Sequence, residues 1–408
     1  MNKIQTATYY LGLLLCLMSG LLLEACSSDS ASDSRPNNSS KERTVRLSAG
    51  ARQYHVDDAE MASAPGLTRT VTYPSSDWTT LTPGENDNML VFIAKETENP
   101  APSDVSSRLF YRTSSDWQSN ITITDAGPDN HYLIYGFMPI DAENVSISLL
   151  SSATNYNAGA SLLIRGLKVL TQTDPCVIVG VGRQETNTSN VTLKWGTFDF
   201  TFKTAETSDV IDYMSILLDH IYSRYHFQVK IDADYAQLRT IKITKMTLEA
   251  LNDAGTQTLG TVNATVNLQT NATNSNPISS VSFSPNTGAR SVTLFDKATT
   301  TNTSYTNGIV LDKTKTDFQE AGFCLAPGDQ HCFRLTTVYE VYNRSDKENK
   351  LIRTNTVINT FNTANFKEKK ITNTNPGLKH TIQIIVNPTY LYVLSDSDLD
   401  NPPFVINN

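Results

Sequence analysis

Phe198-Asp199-Phe200-Thr201-Phe202 alternates aromatic and polar side chains without a break. Successive side chains of a strand point to opposite faces, so this period of two predicts a strand with one buried face. Similar chemistry recurs on both sides of it. Upstream are Met89-Leu90-Val91-Phe92-Ile93-Ala94, His131-Tyr132-Leu133-Ile134-Tyr135-Gly136-Phe137, Val145-Ser146-Ile147-Ser148-Leu149 and Val191-Thr192-Leu193-Lys194-Trp195. Each is short, rich in β-branched or aromatic residues, and bounded by Asp, Asn, Gly, Pro or Ser. Strands at this spacing, with no helical period between them, predict an all-β sandwich or barrel over residues 43–203. Downstream, period two returns at 227–231, around Ile241, Ile243 and Leu248, and at 333–342, 355–361 and 380–386. Residues 252–316 are dense in Asn, Thr and Ser, which predicts a few strands at 261–268, 280–283 and 291–295 joined by long polar loops.

One segment departs from the pattern. Val210, Ile211, Met214, Leu217, Leu218, Ile221 and Tyr222 fall on one stripe of an α-helix over residues 208–224. Ser208 suits an N-cap, and Asp209 and Asp212 suit the positive end of the helix dipole. The expected architecture is therefore two β-sandwich domains in tandem, with one main helix opening the second. The boundary is placed near Thr204, giving domains at 43–204 and 205–408.

The chain opens with Lys3 and an apolar stretch from Tyr9 to Leu23, then Ala25 and Cys26. An apolar run of that length ending at a small residue reads as an export signal over residues 1–25. A cysteine directly after the cut is the natural acceptor of a lipid, so Cys26 is the expected lipidation site. Residues 26–42, nearly free of apolar side chains, read as a flexible leash. The net charge of −8 and the lack of a basic cluster argue against nucleic acid as a partner. Cys324 and Cys332 flank a turn-rich loop. They read either as a disulfide, which an exported compartment permits, or as two half-buried thiols on neighbouring strands. Cys176 reads as packing in an apolar strand.

Little catalytic chemistry is visible. The six histidines are scattered; His220 follows Asp219, but adjacent helix positions do not face one another. No Cys or His spacing matches a zinc site, and no phosphate loop or nucleophile elbow occurs. Asp396, Asp398 and Asp400 begin like a calcium loop, but Asn401 and Asn407 stand where glycine and a bidentate glutamate are needed. Neither enzyme activity nor a metal or other cofactor is expected.

The layout of export lipobox, β-rich first domain and then a helix opening a second β-domain resembles the fimbrillin family of Bacteroidales pilus subunits. Local features that carry the resemblance are Tyr135-Gly136-Phe137-Met138-Pro139, Leu217-Leu218-Asp219-His220-Ile221-Tyr222 and Asn387-Pro388-Thr389-Tyr390-Leu391-Tyr392. The resemblance implies transthyretin-like sandwiches and export to the outer membrane as a lipid-anchored precursor. It also implies cleavage after an arginine and polymerisation with other pilus subunits by donor-strand exchange, supporting adhesion to a surface receptor. Arg46 and Arg52, then Arg43, are the candidate cleavage sites, with residues 45–49 at the start of the removable strand. Tyr390, Leu391, Tyr392, Val393 and Leu394 are the candidate donor strand, or equally the last core strand of the second domain. The competing expectation is a surface glycan-binding lipoprotein presenting Trp78, Trp117 and Trp195.

Overall fold

The computed structural model describes residues 40–56, 78–81, 88–95, 105–113, 116–124, 131–140, 142–150, 159–184, 196–202, 211–270, 277–314, 316–317, 323–328, 332–343, 350–366, 371, 374–386 and 404–407. These are almost entirely strands, arranged in four sheets of nine, seven, five and four strands. The all-β expectation holds, and the first sheet goes further by closing on itself. Its ring runs Cys176–Gln184, Ile211–His220, Ser40–Arg52, Trp117–Thr124, Val105–Arg112, Met89–Lys95 and His131–Met138, which pairs back to Cys176–Gln184. Closure removes the open edges that would otherwise template pairing with other chains.

The barrel interior is filled by alternate residues of its staves. Val45, Leu47, Met89, Val91, Trp117, Ile134, Ile178, Ile216 and Leu218 form one buried cluster. Residues of opposite parity, such as Leu133, Tyr135, Phe137, Val177, Val179 and Leu217, join a second and larger core. That core is shared with Tyr225, Phe227 and Ile382 of the seven-stranded sheet, Ile243, Leu335 and Tyr339 of the five-stranded sheet, and Leu162 and Val266 of the four-stranded sheet. Several staves are therefore buried on both faces.

This double burial corrects the helix expectation. Residues 211–220 form the strand Ile211–His220, followed by a turn and the strand Ser223–Ile231. Ile211–His220 lies parallel to Ser40–Arg52 on one side and antiparallel to Cys176–Gln184 on the other. A strand covered on both faces carries a near-continuous apolar run, and such a run can match a helical stripe by accident. Among the described residues the sole α-helix is the single turn Tyr235–Leu238. The expected boundary at Thr204 lies outside the described residues.

Other expectations fare better. Strands occur at Met89–Lys95, His131–Met138, Asn144–Leu150, Cys332–Asn343, Leu351–Asn362 and Leu378–Val386. Phe198, Phe200 and Phe202 are all buried while Asp199 is exposed. The stretch expected to be loop-rich is strand-rich, with Leu259–Gln269 and Ile278–Thr287 forming a long antiparallel pair. Its Thr, Asn and Ser side chains occupy the solvent face of alternating strands.

Barrel closure is tight at Gly136. A methyl group there would stand 2.6 Å from Ile178 Cδ1 and 2.8 Å from the Leu90 carbonyl oxygen. Gly136→Ala should therefore cost about 1–3 kcal/mol through overpacking. Gly288→Ala, where the nearest atom is 3.4 Å away, is the control and should cost far less in the same denaturant titration.

Candidate functional site: the first strand and the cluster at its end

Ser40–Arg52 is the first described strand and the central feature of the barrel. It is hydrogen-bonded along both edges. Ile211–His220 runs parallel to it from Thr44↔Ile211 to Ala51↔Leu218. Trp117–Thr124 covers residues 40–47 of the other edge, and Trp78–Leu81 covers 49–52. Val45 and Leu47 are fully buried, and Ala49 and Ala51 nearly so. Burying one valine or leucine side chain contributes about 1.5–3 kcal/mol.

Two buried ion pairs tie this strand to its parallel neighbour. Arg43 Nη1 donates to Asp212 Oδ2 at 3.1 Å, with the guanidinium also 5.6 Å from the centre of the Phe202 ring. Arg52 Nη1 donates to Asp219 Oδ2 at 3.2 Å. All four side chains are essentially inaccessible. Between them the Ser48 and Ser215 hydroxyls share a hydrogen bond of 2.8 Å. Such pairs add little net stability over apolar packing, yet breaking one strands an uncompensated charge. Their position at both ends of the parallel ladder penalises any slip in register.

A second polar cluster begins where the strand ends. Cys176 and His220 are opposite one another in the antiparallel pairing of their strands. Cys176 Sγ lies 3.4 Å from His220 Nδ1, and the Asp174 carboxylate oxygens lie 2.9 and 3.1 Å from the same nitrogen. His220 Nε2 donates to the Arg52 carbonyl oxygen at 2.5 Å. Tyr54 stacks on the imidazole with ring centres 3.8 Å apart, and its hydroxyl donates to Asp174 Oδ1 at 2.7 Å. The same hydroxyl is 3.6 Å from Cys324 Sγ, and the Arg224 guanidinium lies 5.2 Å from the centre of the Tyr54 ring.

The electrostatics follow from this packing. Burial works against a charged imidazole, but the Asp174 carboxylate outweighs it and raises the His220 pKa. Burial likewise opposes the Asp174 carboxylate, yet His220 and the Tyr54 hydroxyl hold its pKa below the ordinary value. Burial, reinforced by the nearby Asp174, pushes Tyr54, Cys176 and Cys324 up. Asp219, though next in sequence to His220, accepts from Arg52 instead, so the two side chains serve separate partners.

Of the residues singled out from sequence, Cys26 and 390–394 lie outside the described residues, as do Asp396, Asp398, Asp400 and Trp195. Arg43 and Arg52 are buried in ion pairs, and Arg46 is half-buried within the strand ladder. Trp117 is fully buried in the barrel. Cys324 and Cys332 are free thiols, which corrects the disulfide reading. Cys324 sits on Phe323–Leu325 in the seven-stranded sheet, while Cys332 opens Cys332–Asn343 in the five-stranded sheet. Cys332 Sγ instead donates to the Asp253 carbonyl oxygen. The sequence offered no spacing that joins Asp174, Cys176 and His220, because only the strand register brings the last of these across.

Breaking the Arg52–Asp219 pair by Arg52→Met should destabilise the protein by about 3–5 kcal/mol, since the buried guanidinium that pairs with Asp219 is lost. Lys297→Met, which breaks the part-exposed Lys297–Glu340 pair, should cost far less in the same chemical denaturation series.

No protein-family profile and no curated protein matches this chain. Among solved structures it is similar to a candidate cell adhesion protein from Bacteroides fragilis, at 11% identity and a TM-score of 0.33, covering 89% of this chain and 97% of that one. A candidate cell adhesion protein from Parabacteroides distasonis gives 11% identity and a TM-score of 0.33, covering 89% and 96%. The fimbrial anchor protein Mfa2 from Porphyromonas gingivalis gives 9% identity and a TM-score of 0.27, covering 88% and 95%. The structural neighbours are thus Bacteroidales adhesion and fimbrial-anchor proteins, and at this level of superposition the likeness by itself assigns neither family nor role.

Proposed function

We propose that this chain is a non-enzymatic structural subunit of a cell-surface pilus. It is exported as a lipoprotein through Cys26 and assembled with other subunits by proteolysis-triggered donor-strand exchange, in support of adhesion. The observation that carries the reading is the position of Ser40–Arg52. It is the first described strand, taking in the last three residues of the segment expected as leash, and it is a stave of a closed barrel. Its loss would expose the edges of Ile211–His220 and Trp117–Thr124 together with the apolar slot left by Val45 and Leu47. An incoming strand from another subunit would satisfy both. A head-to-tail contact of that kind propagates a filament instead of closing a ring.

The cleavage arginine is likewise a proposal: Arg46 and Arg52, then Arg43, are the candidates from sequence, and Arg69, outside the described residues, is added to them because of how the first strand is paired. Arg43, Arg46 and Arg52 lie in a strand paired on both edges, and a protease needs the backbone free. A cut that releases the strand whole falls beyond His55–Val56, and the next arginine in the sequence is Arg69. The proposed donor is residues 390–394, which lie outside the described residues and read equally as the last core strand of the second domain. The strand Phe404–Asn407 pairs with Leu378–Val386 through four residues.

Limited digestion of the purified precursor with a trypsin-like protease should remove the segment up to Arg69 and yield a ladder of oligomers on native gels. Arg69→Ala should retain the first strand and remain monomeric. Complete loss of that strand with only monomers recovered would overturn the assembly reading.

A further inference from the structure

The cluster around His220 is not required by the assembly reading, and its donor set has a chemistry of its own. Asp174 Oδ, Cys176 Sγ and His220 Nδ1 all lie within 4.8 Å of one another. Carboxylate oxygen, thiolate sulfur and imidazole nitrogen are the donors that zinc takes in proteins. A tetrahedral sphere with Zn–S of about 2.3 Å and Zn–N of about 2.0 Å places sulfur and nitrogen roughly 3.5 Å apart. The observed separation is 3.4 Å. Carboxylate oxygen and nitrogen in the same sphere stand roughly 3.3 Å apart, against 2.9 and 3.1 Å here.

The surroundings fix each donor. His220 Nε2–H is committed to the Arg52 carbonyl oxygen, which turns Nδ1 toward Asp174 and Cys176. Metal-bound histidines are oriented by such a hydrogen bond from the second ring nitrogen, and metal-bound carboxylates are themselves hydrogen-bonded. Asp174 meets the second condition through the Tyr54 hydroxyl. Stacking on Tyr54 holds the imidazole plane. With Nε2 so occupied, Nδ1 faces the Asp174 carboxylate at 2.9 Å, a hydrogen-bond distance, and a metal ion bound here would take the place of the proton between them. The Asp174 side chain is 29% exposed while His220 is 4% exposed, so the site is reached from solvent at the carboxylate and closed behind it.

We propose that Asp174, Cys176 and His220 form a zinc-binding site, with a fourth position open to solvent beside Asp174. Binding displaces two protons to solvent, one from the Cys176 thiol and one from His220 Nδ1, and the thiolate and the neutral imidazole nitrogen take their places on the metal. The metal would clamp the start of Cys176–Gln184 to the end of Ile211–His220. Through Arg52 and Tyr54 it would also hold the carboxyl-terminal end of the first strand.

The test is a cobalt titration of the reduced, chelator-treated full-length protein, with Co²⁺ as the spectroscopic substitute for Zn²⁺. One equivalent should bind, with a thiolate-to-cobalt charge-transfer band and the visible bands of a tetrahedral centre, and Zn²⁺ should displace it. Cys176→Ser should abolish the charge-transfer band, His220→Gln should weaken binding at least about tenfold, and Cys332→Ser should leave both unchanged. No band in the wild-type protein, or the same band in Cys176→Ser, overturns the proposal. Zinc-edge X-ray absorption on the wild-type protein makes the test independent of whether the variants fold. At least one sulfur at about 2.3 Å is expected, and a shell of oxygen and nitrogen alone overturns the assignment.

Discussion

The parallel pairing of Ser40–Arg52 with Ile211–His220 is the constraint on which the rest of the barrel depends. These segments are separated by more than 150 residues of sequence, so the pairing is formed against a substantial loss of chain entropy. Hydrogen bonds in a ladder and apolar side chains on both faces drive it, but neither alone fixes the register. A shift of one residue would carry Val45 and Leu47 out of the barrel and bring Arg46 in. Arg43 with Asp212 and Arg52 with Asp219 add a charge penalty to that slip. Specificity of register, more than net stability, is what buried charges contribute here.

The two polar centres divide their work along the same strand. Arg43 and Asp212 close the barrel interior near Phe202. At the far end Arg52 uses its side chain for Asp219 and its carbonyl for His220, so one residue links the ion pair to the Asp174–Cys176–His220 cluster. The chain then leaves the barrel, and His55–Val56 pairs with Leu378–Val386 in another sheet. The first seventeen described residues therefore join two of the four sheets.

Much of this was legible in the sequence wherever one face of a strand meets solvent. Phe198 to Phe202 and Val145 to Leu149 announce themselves because polar residues mark the exposed side. The signal failed for Ile211–His220, where both faces are covered and polarity no longer alternates. Asp212, plausible as a helix N-terminal acid, is instead the partner of an arginine 169 residues away. The thiol pair failed for a related reason. A turn-rich loop between Cys324 and Cys332 suggests proximity, but the strands on its two sides enter different sheets. The cluster at His220 was invisible because its members are joined by cross-strand register, which no local spacing encodes.

The neighbours of the first strand also set how the molecule would carry load. A pull applied through Ser40 along the strand axis acts parallel to its ladders on both edges, so their hydrogen bonds are stressed together in shear. The ion pairs at Arg43 and Arg52 lie on the same line and resist the same sliding. The terminal strand Phe404–Asn407 has one ladder of four residue pairs and no second edge partner among the described residues. One chain thus holds a mechanically strong element near its beginning and a weak one at its end.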